Sequence, residues 1–265
     1  MRIEQNYSLE KHNTFRVPAK TRWFIEYADE DELIRILCDE YFQECKSLHI
    51  GEGSNLLFIN DFDGIVLHSG IRGIEEKEDS DSVLLRIGAA ERWDDVVAFA
   101  VSRGWGGIEN LSLIPGETGA AAVQNIGAYG SEISDVIESV EAYNQVTFEK
   151  RIFSKAECEY GYRYSYFKVP EHDPHIVTHV LLRLQKKPSY CLEYSNLRET
   201  LADSQLSLSA VRDAVISIRC SKLPDTAILG SAGSFFMNPV ISQSQFLELQ
   251  LHYPDVPSYP VSSSS

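Results

Sequence analysis

Residues Ile114–Gly130 read IPGETGAAAVQNIGAYG, and the reading of this stretch decides the fold. Four glycines and four alanines surround the adjacent pair Gln124 and Asn125. Glycine suits a backbone that needs positive φ or must approach another surface closely. Amide side chains among such small residues suggest a loop whose backbone meets something polar and flat. Gln124 and Asn125 offer donors and acceptors for the edge of a planar heterocycle, while Gly127, Ala128 and Gly130 let the main chain close over it. The alternative is a tightly packed Gly/Ala crossing between core elements.

Two other glycine-rich stretches frame this one. Ile50–Phe58, IGEGSNLLF, follows the strand-like KSLHI. Its Gly51, Gly53, Ser54 and Asn55 are suited to present successive N–H groups as an anion nest. Leu56 stands where the dinucleotide-binding fingerprint needs its last glycine, so this is no Rossmann turn; a plain strand–turn–strand link is the other reading. Leu229–Pro239, LGSAGSFFMNP, places Ser234 between Gly233 and two aromatics, either as a hydroxyl in a partly dry pocket or as a turn residue. There is no G-x-S-x-G elbow and no histidine near Ser234 in sequence, which disfavours a Ser-His-Asp hydrolase.

At 265 residues the chain has room for two domains or one large one, and 43% hydrophobic with 24% charged residues is ordinary for a globular protein. No apolar run is long enough to cross a bilayer, and MRIEQNYSLEKHNTF lacks the apolar core of a signal peptide, so the cytosol is expected. A formal net charge of −15 argues against binding nucleic acid, which needs clustered Lys and Arg, but leaves room for a small anion held by a few local donors. Five scattered cysteines without C-x-x-C fit reduced thiols. His172, His175 and His179 lie close together, yet Pro174 and a strand-like pattern keep them off one helical face, and no metal site is expected.

Hydrophobic periodicity outlines alternating strands and helices. RWFIEYA, KSLHI, DGIVLHS, VLLRIGAA, VIESVEAYN and HIVTHVLLRL read as strands. DEDELIRILCDEYF reads as a helix with Leu33, Ile34, Leu37 and Tyr41 on one face. Arg92–Arg103 is amphipathic, with Trp93, Val96, Val97, Ala100 and Val101 at helical spacing. LSLSAVRDAVISIR repeats the pattern through Leu208, Val211, Val215 and Ile218, and Ser242 with Gln245 makes a capping box for a last helix before Pro254.

The motifs NTFRVPAK, GEGSN, SLIPGETGAAAVQNIGAYG, YGYRYSYFK, IRCSKLPD and GSAGSFFMNP, in this order and spread over most of the chain, resemble the UDP-N-acetylenolpyruvoylglucosamine reductase family. The resemblance implies an α+β, PCMH-type (vanillyl-alcohol-oxidase-like) FAD-binding fold. It would have two lobes, residues 1–67 and 68–205, plus a partial α+β substrate-binding domain, residues 206–265. FAD is the implied cofactor and NADPH the hydride donor. Gly51, Gly53, Ser54 and Asn55 would hold the pyrophosphate, and Pro115, Gly116, Thr118, Gly119, Gln124, Asn125, Ile126 and Gly127 would line the flavin. Arg163 matches the family arginine that stabilises charge on the substrate carboxylate, and Ser234 the serine that protonates C2. Tyr162, Arg219, Lys222 and Asn238 would hold the substrate or its diphosphate, and Tyr194 resembles the family's lid tyrosine. The implied partners are UDP-N-acetylglucosamine enolpyruvate and NADPH, met in the cytoplasm by a monomer in peptidoglycan precursor synthesis, with no role for membrane or nucleic acid.

Two departures from the family pattern stand out. Met237 occupies a place where many members carry lysine, and no glutamate follows Glu248, although the family's third catalytic group is a C-terminal glutamate. The sequence therefore reads as a reductase that stops early. The alternative is a flavin- or nucleotide-binding remnant without turnover. A flavin oxidase of the same fold would give Arg163 and Ser234 no task.

Overall fold

Alternating burial along one strand and a nearly continuous apolar run along the next build the first sheet. It contains β1 (Arg2–Ser8), β2 (Lys20–Tyr27), β3 (Ser47–Ile50) and β4 (Phe62–Ser69), in the order β1-β2-β4-β3. Strands β2 and β3 run parallel to β4, and β1 pairs antiparallel with β2. All three parallel strands thus end at one edge, where open sheets with crossover helices bind ligands, and β3 ends directly in the GEGSN turn. The structure is a computed structural model that describes residues 1–169, 172, 174–194, 196–202, 205–226, 228–231, 233 and 237–258.

The crossover differs from the single helix that periodicity suggests. It is divided into α1 (Glu30–Leu37) and α2 (Glu40–Gln43), because the Asp39 side chain accepts a hydrogen bond from Tyr41 N and starts a new turn. Leu33, Ile36 and Leu37 are buried, whereas Tyr41 is 51% exposed, off the face assigned to it.

The second sheet follows from β5 (Ile74–Glu78) and β6 (Ser82–Gly88). After a short hairpin of β7 (Gly127–Ala128) and β8 (Ser131–Glu132), it is completed by β9 (Ile137–Asn144), β10 (Lys150–Ser154) and β11 (His175–Gln185). The order is β10-β9-β11-β6-β5, antiparallel throughout. Helix α3 (Trp93–Ser102) lays Trp93, Val96, Val97 and Ala100 into a core with Val83, Leu85, Ile87, Val180, Leu182 and Leu184. The wholly buried Trp93 indole donates to Leu111 O at 2.9 Å, which removes the cost of burying its N–H. The two sheets share a second core, in which Tyr143 and Ile176 meet Ile25, Leu33 and Leu67.

The decisive stretch is not wholly a loop. Thr118–Gln124 form helix α4, consistent with the high helix propensity of Ala120, Ala121 and Ala122. Asn125 stops it in the left-handed region (φ 43°), which asparagine tolerates better than most residues. Farther on, α5 (Leu197–Thr200) and α6 (Leu208–Lys222) build a separate cluster of Leu197, Leu201, Val211, Val215 and Ile218. These elements belong to one compact unit, Met1–Ala232; Gly233–Ser265 is a second, containing α7 (Gln243–His252) with the expected Ser242–Gln245 capping box. Among the described residues no helix is long and apolar enough to cross a membrane.

Candidate active site

Gly53 fixes the turn after β3. Its φ is +70°, and a Cβ there would stand 2.0 Å from His12 O, so no other residue fits without moving backbone. Among the described residues no acceptor meets the main-chain N–H groups of Glu52, Gly53, Ser54 or Asn55. Four successive unpaired N–H groups are the donor set an anion nest requires. The turn is held against the decisive stretch, 61 residues away, by Ser54 Oγ donating to Pro115 O at 3.1 Å. Gly116 N donates to Glu52 Oε2 at 3.1 Å, and Glu52 also pairs with Arg92 at 3.1 Å.

Behind this wall lies a chain of charge, buried at His68 and Glu117 and partly exposed at Glu26. His68 places its two ring nitrogens 3.0 Å from Glu26 Oε2 and 3.0 Å from Glu117 Oε1. Burial presses the imidazole pKa down, but the two carboxylates outweigh it and hold the group above its ordinary value. Glu117 backs the glycine turn directly, since a Cβ on Gly51 would lie 3.0 Å from its Oε2. Thr118 and Gly119 are spent on packing: their N–H groups donate to Glu91 O and Ala89 O, each at 2.9 Å. Asn125 is wholly buried, and its side chain is used within the fold. It donates to Glu132 Oε2 and Gly161 O, each at 2.8 Å, and accepts from Ser134 N at 3.2 Å.

Arg163 occupies the tight Gly161–Tyr164 turn at φ +55°, an uncommon conformation for a side chain this large. Its guanidinium donates to Asn125 O at 3.2 Å and to Gly127 O at 2.7 Å, and so braces the end of α4. Three of its five N–H donors remain for another group. The ring of Tyr162, 48% exposed, lies 5.5 Å from the guanidinium carbon. Lys168, unremarked in the sequence, donates to Gln124 Oε1 at 2.9 Å and to Arg163 O at 2.8 Å. Ile126 continues the backbone of this wall, its carbonyl accepting from Ile133 N at 2.9 Å.

Tyr194 stacks edge-on against Tyr129, with ring centroids 6.4 Å apart, beside Gly130. Arg219 lies on α6 with Tyr129 as an electrostatic neighbour, and its buried Nε has no hydrogen-bond partner among the described residues. Burial pushes its pKa down, against the opposing pull of Tyr129 and Asp94. Lys222, at the end of α6, is exposed. Asn238 lies exposed in the second unit, and Ser234 falls outside the described residues. The one cluster of metal-ligating type among the described residues, Glu30, Glu141 and His179, has the Lys150 ammonium 2.8 Å from each carboxylate.

Sequence reasoning missed Glu26, His68, Glu117, Glu132 and Lys168. Glu26, His68 and Glu117 are 42 and 49 residues apart, and only folding joins them. Glu117 and Lys168 sit inside the quoted IPGETGAAAVQNIGAYG and YGYRYSYFK, and these two were within reach of the motifs.

Residues 22–146 match the family described as FAD binding domain. This match, together with the reductases the chain resembles, makes it an FAD-binding flavoprotein. The crystal structure of UDP-N-acetylenolpyruvylglucosamine reductase from Thermus caldophilus superposes with a TM-score of 0.69 at 24% identity, covering 94% of this chain and 80% of that one. A cholesterol oxidase shares the fold over 69% of this chain and 38% of its own, with a TM-score of 0.51 at 12% identity. The architecture is therefore the α+β, PCMH-type FAD-binding fold. UDP-N-acetylenolpyruvoylglucosamine reductase of Porphyromonas gingivalis is 51% identical over 263 residues, 98% of this chain and 78% of the relative. The Bacteroides fragilis protein of the same name is 47% identical over 261 residues, with coverage of 98% and 78%. This chain belongs to the UDP-N-acetylenolpyruvoylglucosamine reductase family.

Proposed function

We propose that this chain is an FAD-dependent, NADPH-consuming reductase that converts UDP-N-acetylglucosamine enolpyruvate to UDP-N-acetylmuramate for peptidoglycan precursor synthesis, as a cytoplasmic monomer. Residues 1–67 and 68–205 would be the FAD-binding lobes and residues 206–265 part of the substrate domain. The observation that carries this reading is the joining of the glycine turn to Pro115–Gly116, with four consecutive N–H groups beside it that have no acceptor among the described residues. That donor set fits a pyrophosphate.

FAD, when bound, supplies hydride chemistry between NADPH and the enolpyruvyl C3. Gly51, Gly53, Ser54 and Asn55 bind its pyrophosphate; Pro115, Gly116, Gln124, Ile126 and Gly127 orient its ring, and Thr118, Gly119 and Asn125 line it through the backbone that their internal hydrogen bonds hold in place. Arg163 offers its three remaining N–H donors to the substrate carboxylate, where negative charge grows as C3 is reduced; a planar fork suits that group. Ser234 gives its hydroxyl proton to C2, which completes addition of hydride and proton across the double bond. Arg219, whose buried Nε has no partner among the described residues, together with Lys222, Tyr162, Asn238 and Tyr194, holds the sugar nucleotide and its diphosphate.

The test is a visible spectrum of the purified chain, followed by anaerobic NADPH and then the enolpyruvyl sugar nucleotide. Bleaching followed by recovery is the expected result. Yellow protein that bleaches but does not recover would make it a flavin-binding protein without turnover, and colourless protein would overturn the cofactor assignment.

A further inference from the structure

We infer that Lys168 is a positioning residue that sets the polarity of Gln124 toward the flavin and ties that setting to Arg163. This rests on the proposed FAD site. An ammonium group only donates, so the oxygen of the Gln124 amide must face it, and the 2.9 Å bond between Lys168 Nζ and Gln124 Oε1 fixes which way the amide points. The amide NH2 has no acceptor among the described residues. Gln124 thus has its oxygen turned to Lys168 and its two N–H donors on offer. The sequence alone left open whether this residue would give or accept a hydrogen bond, and Lys168 decides for giving.

The same ammonium donates to Arg163 O at 2.8 Å, and Arg163 in turn holds the carbonyls of Asn125 and Gly127. The circuit Gln124–Lys168–Arg163–Gly127 therefore closes around the end of α4. It joins the ring-facing amide to the arginine that receives the substrate carboxylate. An N–H donor aimed at the acceptor edge of a flavin favours the reduced, more negative ring, so the circuit raises the flavin midpoint potential.

The test compares the unsubstituted chain with Lys168→Met, Lys168→Arg and Gln124→Ala, reading FAD affinity by flavin fluorescence and midpoint potential by dye equilibration. Thermal melts verify folding. Lys168→Met is expected to bind FAD about tenfold more weakly, the loss of one charge-assisted hydrogen bond, and to move the potential to more negative values. Lys168→Arg should recover part of both, and Gln124→Ala should move the potential in the same direction as Lys168→Met. If Lys168→Met keeps the parent potential while Gln124→Ala shifts it, the lysine does not orient the glutamine and the inference falls, with the proposed function intact. If the unsubstituted chain binds no FAD, the proposed function and this inference fall together.

Discussion

Arg212 on α6 grips Asp94 on α3 with two parallel hydrogen bonds, Nη1 to Oδ1 at 2.7 Å and Nη2 to Oδ2 at 2.8 Å. The pair pins the helix that carries Arg219 and Lys222 onto the second sheet's core. Burial pushes the Asp94 carboxyl pKa up, but Arg212 and the Leu113 N–H pull it down further, so the net shift is downward. A depressed carboxylate pKa contributes stability above its unfolded value, about 3.9, and loses it as pH falls through the folded value. Arg212→Met should therefore cost about 2 kcal/mol near neutral pH and lower Tm by about 5 °C. Thermal melts of both proteins from pH 7 down to pH 3 check this, and the gap should narrow at the acid end. A constant gap would mean that the loss is packing, not charge.

His68 gives the opposite pH dependence. Its folded pKa is raised, so its contribution is complete below the unfolded value of about 6.5 and is lost as pH rises through the folded value. His68→Gln should cost about 2 kcal/mol at pH 6 and progressively less in alkaline solution. Urea unfolding at several pH values measures the difference. Because Glu117 backs Gly51, the variant should also bind FAD more weakly at every pH. Unchanged FAD affinity would separate the buried chain from the cofactor wall.

The strands were legible where one face alternates or both faces are apolar, as in β2, β4 and β11. Strand β1 was not, because RIEQNYS has no fully buried position and so no hydrophobic signal. Helix α4 was hidden for another reason: small residues carry no amphipathic pattern, and its Gly119 and three alanines read as loop. The two glycine-rich stretches stand out in the sequence, but the contact between Ser54 and Pro115 that joins them depends on tertiary folding. Asn125 shows the limit most clearly. An amide beside glycines suggests ligand recognition, whereas here it is buried and bonded to Glu132, Gly161 and Ser134, partners that sequence alone does not choose.

Two glycines with similar positive φ should respond differently to alanine. At Gly53 (φ +70°) the new Cβ meets His12 O at 2.0 Å; at Gly104 (φ +76°) nothing lies within 4 Å. Gly104→Ala carries only left-handed strain, about 1 kcal/mol. Gly53→Ala adds a backbone clash for a total of about 3 kcal/mol, and it displaces the turn bearing the unpaired N–H groups. Tm and flavin content measured on both proteins provide the comparison. Loss of FAD from Gly53→Ala alone is expected; equal retention would show that the turn's shape is not what binds the cofactor.

Ser234→Ala should leave reduction of the flavin by NADPH intact and slow reoxidation by the enolpyruvyl substrate by several orders of magnitude. Stopped-flow measurement of the two half-reactions reads this directly. The prediction follows from the proton's late role: hydride entry from NADPH needs no proton at C2. An equal fall in both halves would make the serine structural.

Arg163→Lys separates two tasks of one side chain. The guanidinium spans Asn125 O and Gly127 O and still has donors for a carboxylate. A lysine ammonium is a point charge with three donors and cannot reproduce that fork. Keeping the positive charge preserves attraction for the substrate, so KM should rise only modestly. Losing the aligned donors at the growing negative charge should slow reoxidation by about a hundredfold or more, in line with removal of a transition-state donor. Reduction by NADPH should change little if the loop holds its shape through the remaining Lys168 bonds. Proportional loss of both half-reactions, together with weaker FAD binding, would instead assign Arg163 to bracing the loop and leave the substrate carboxylate to another cation.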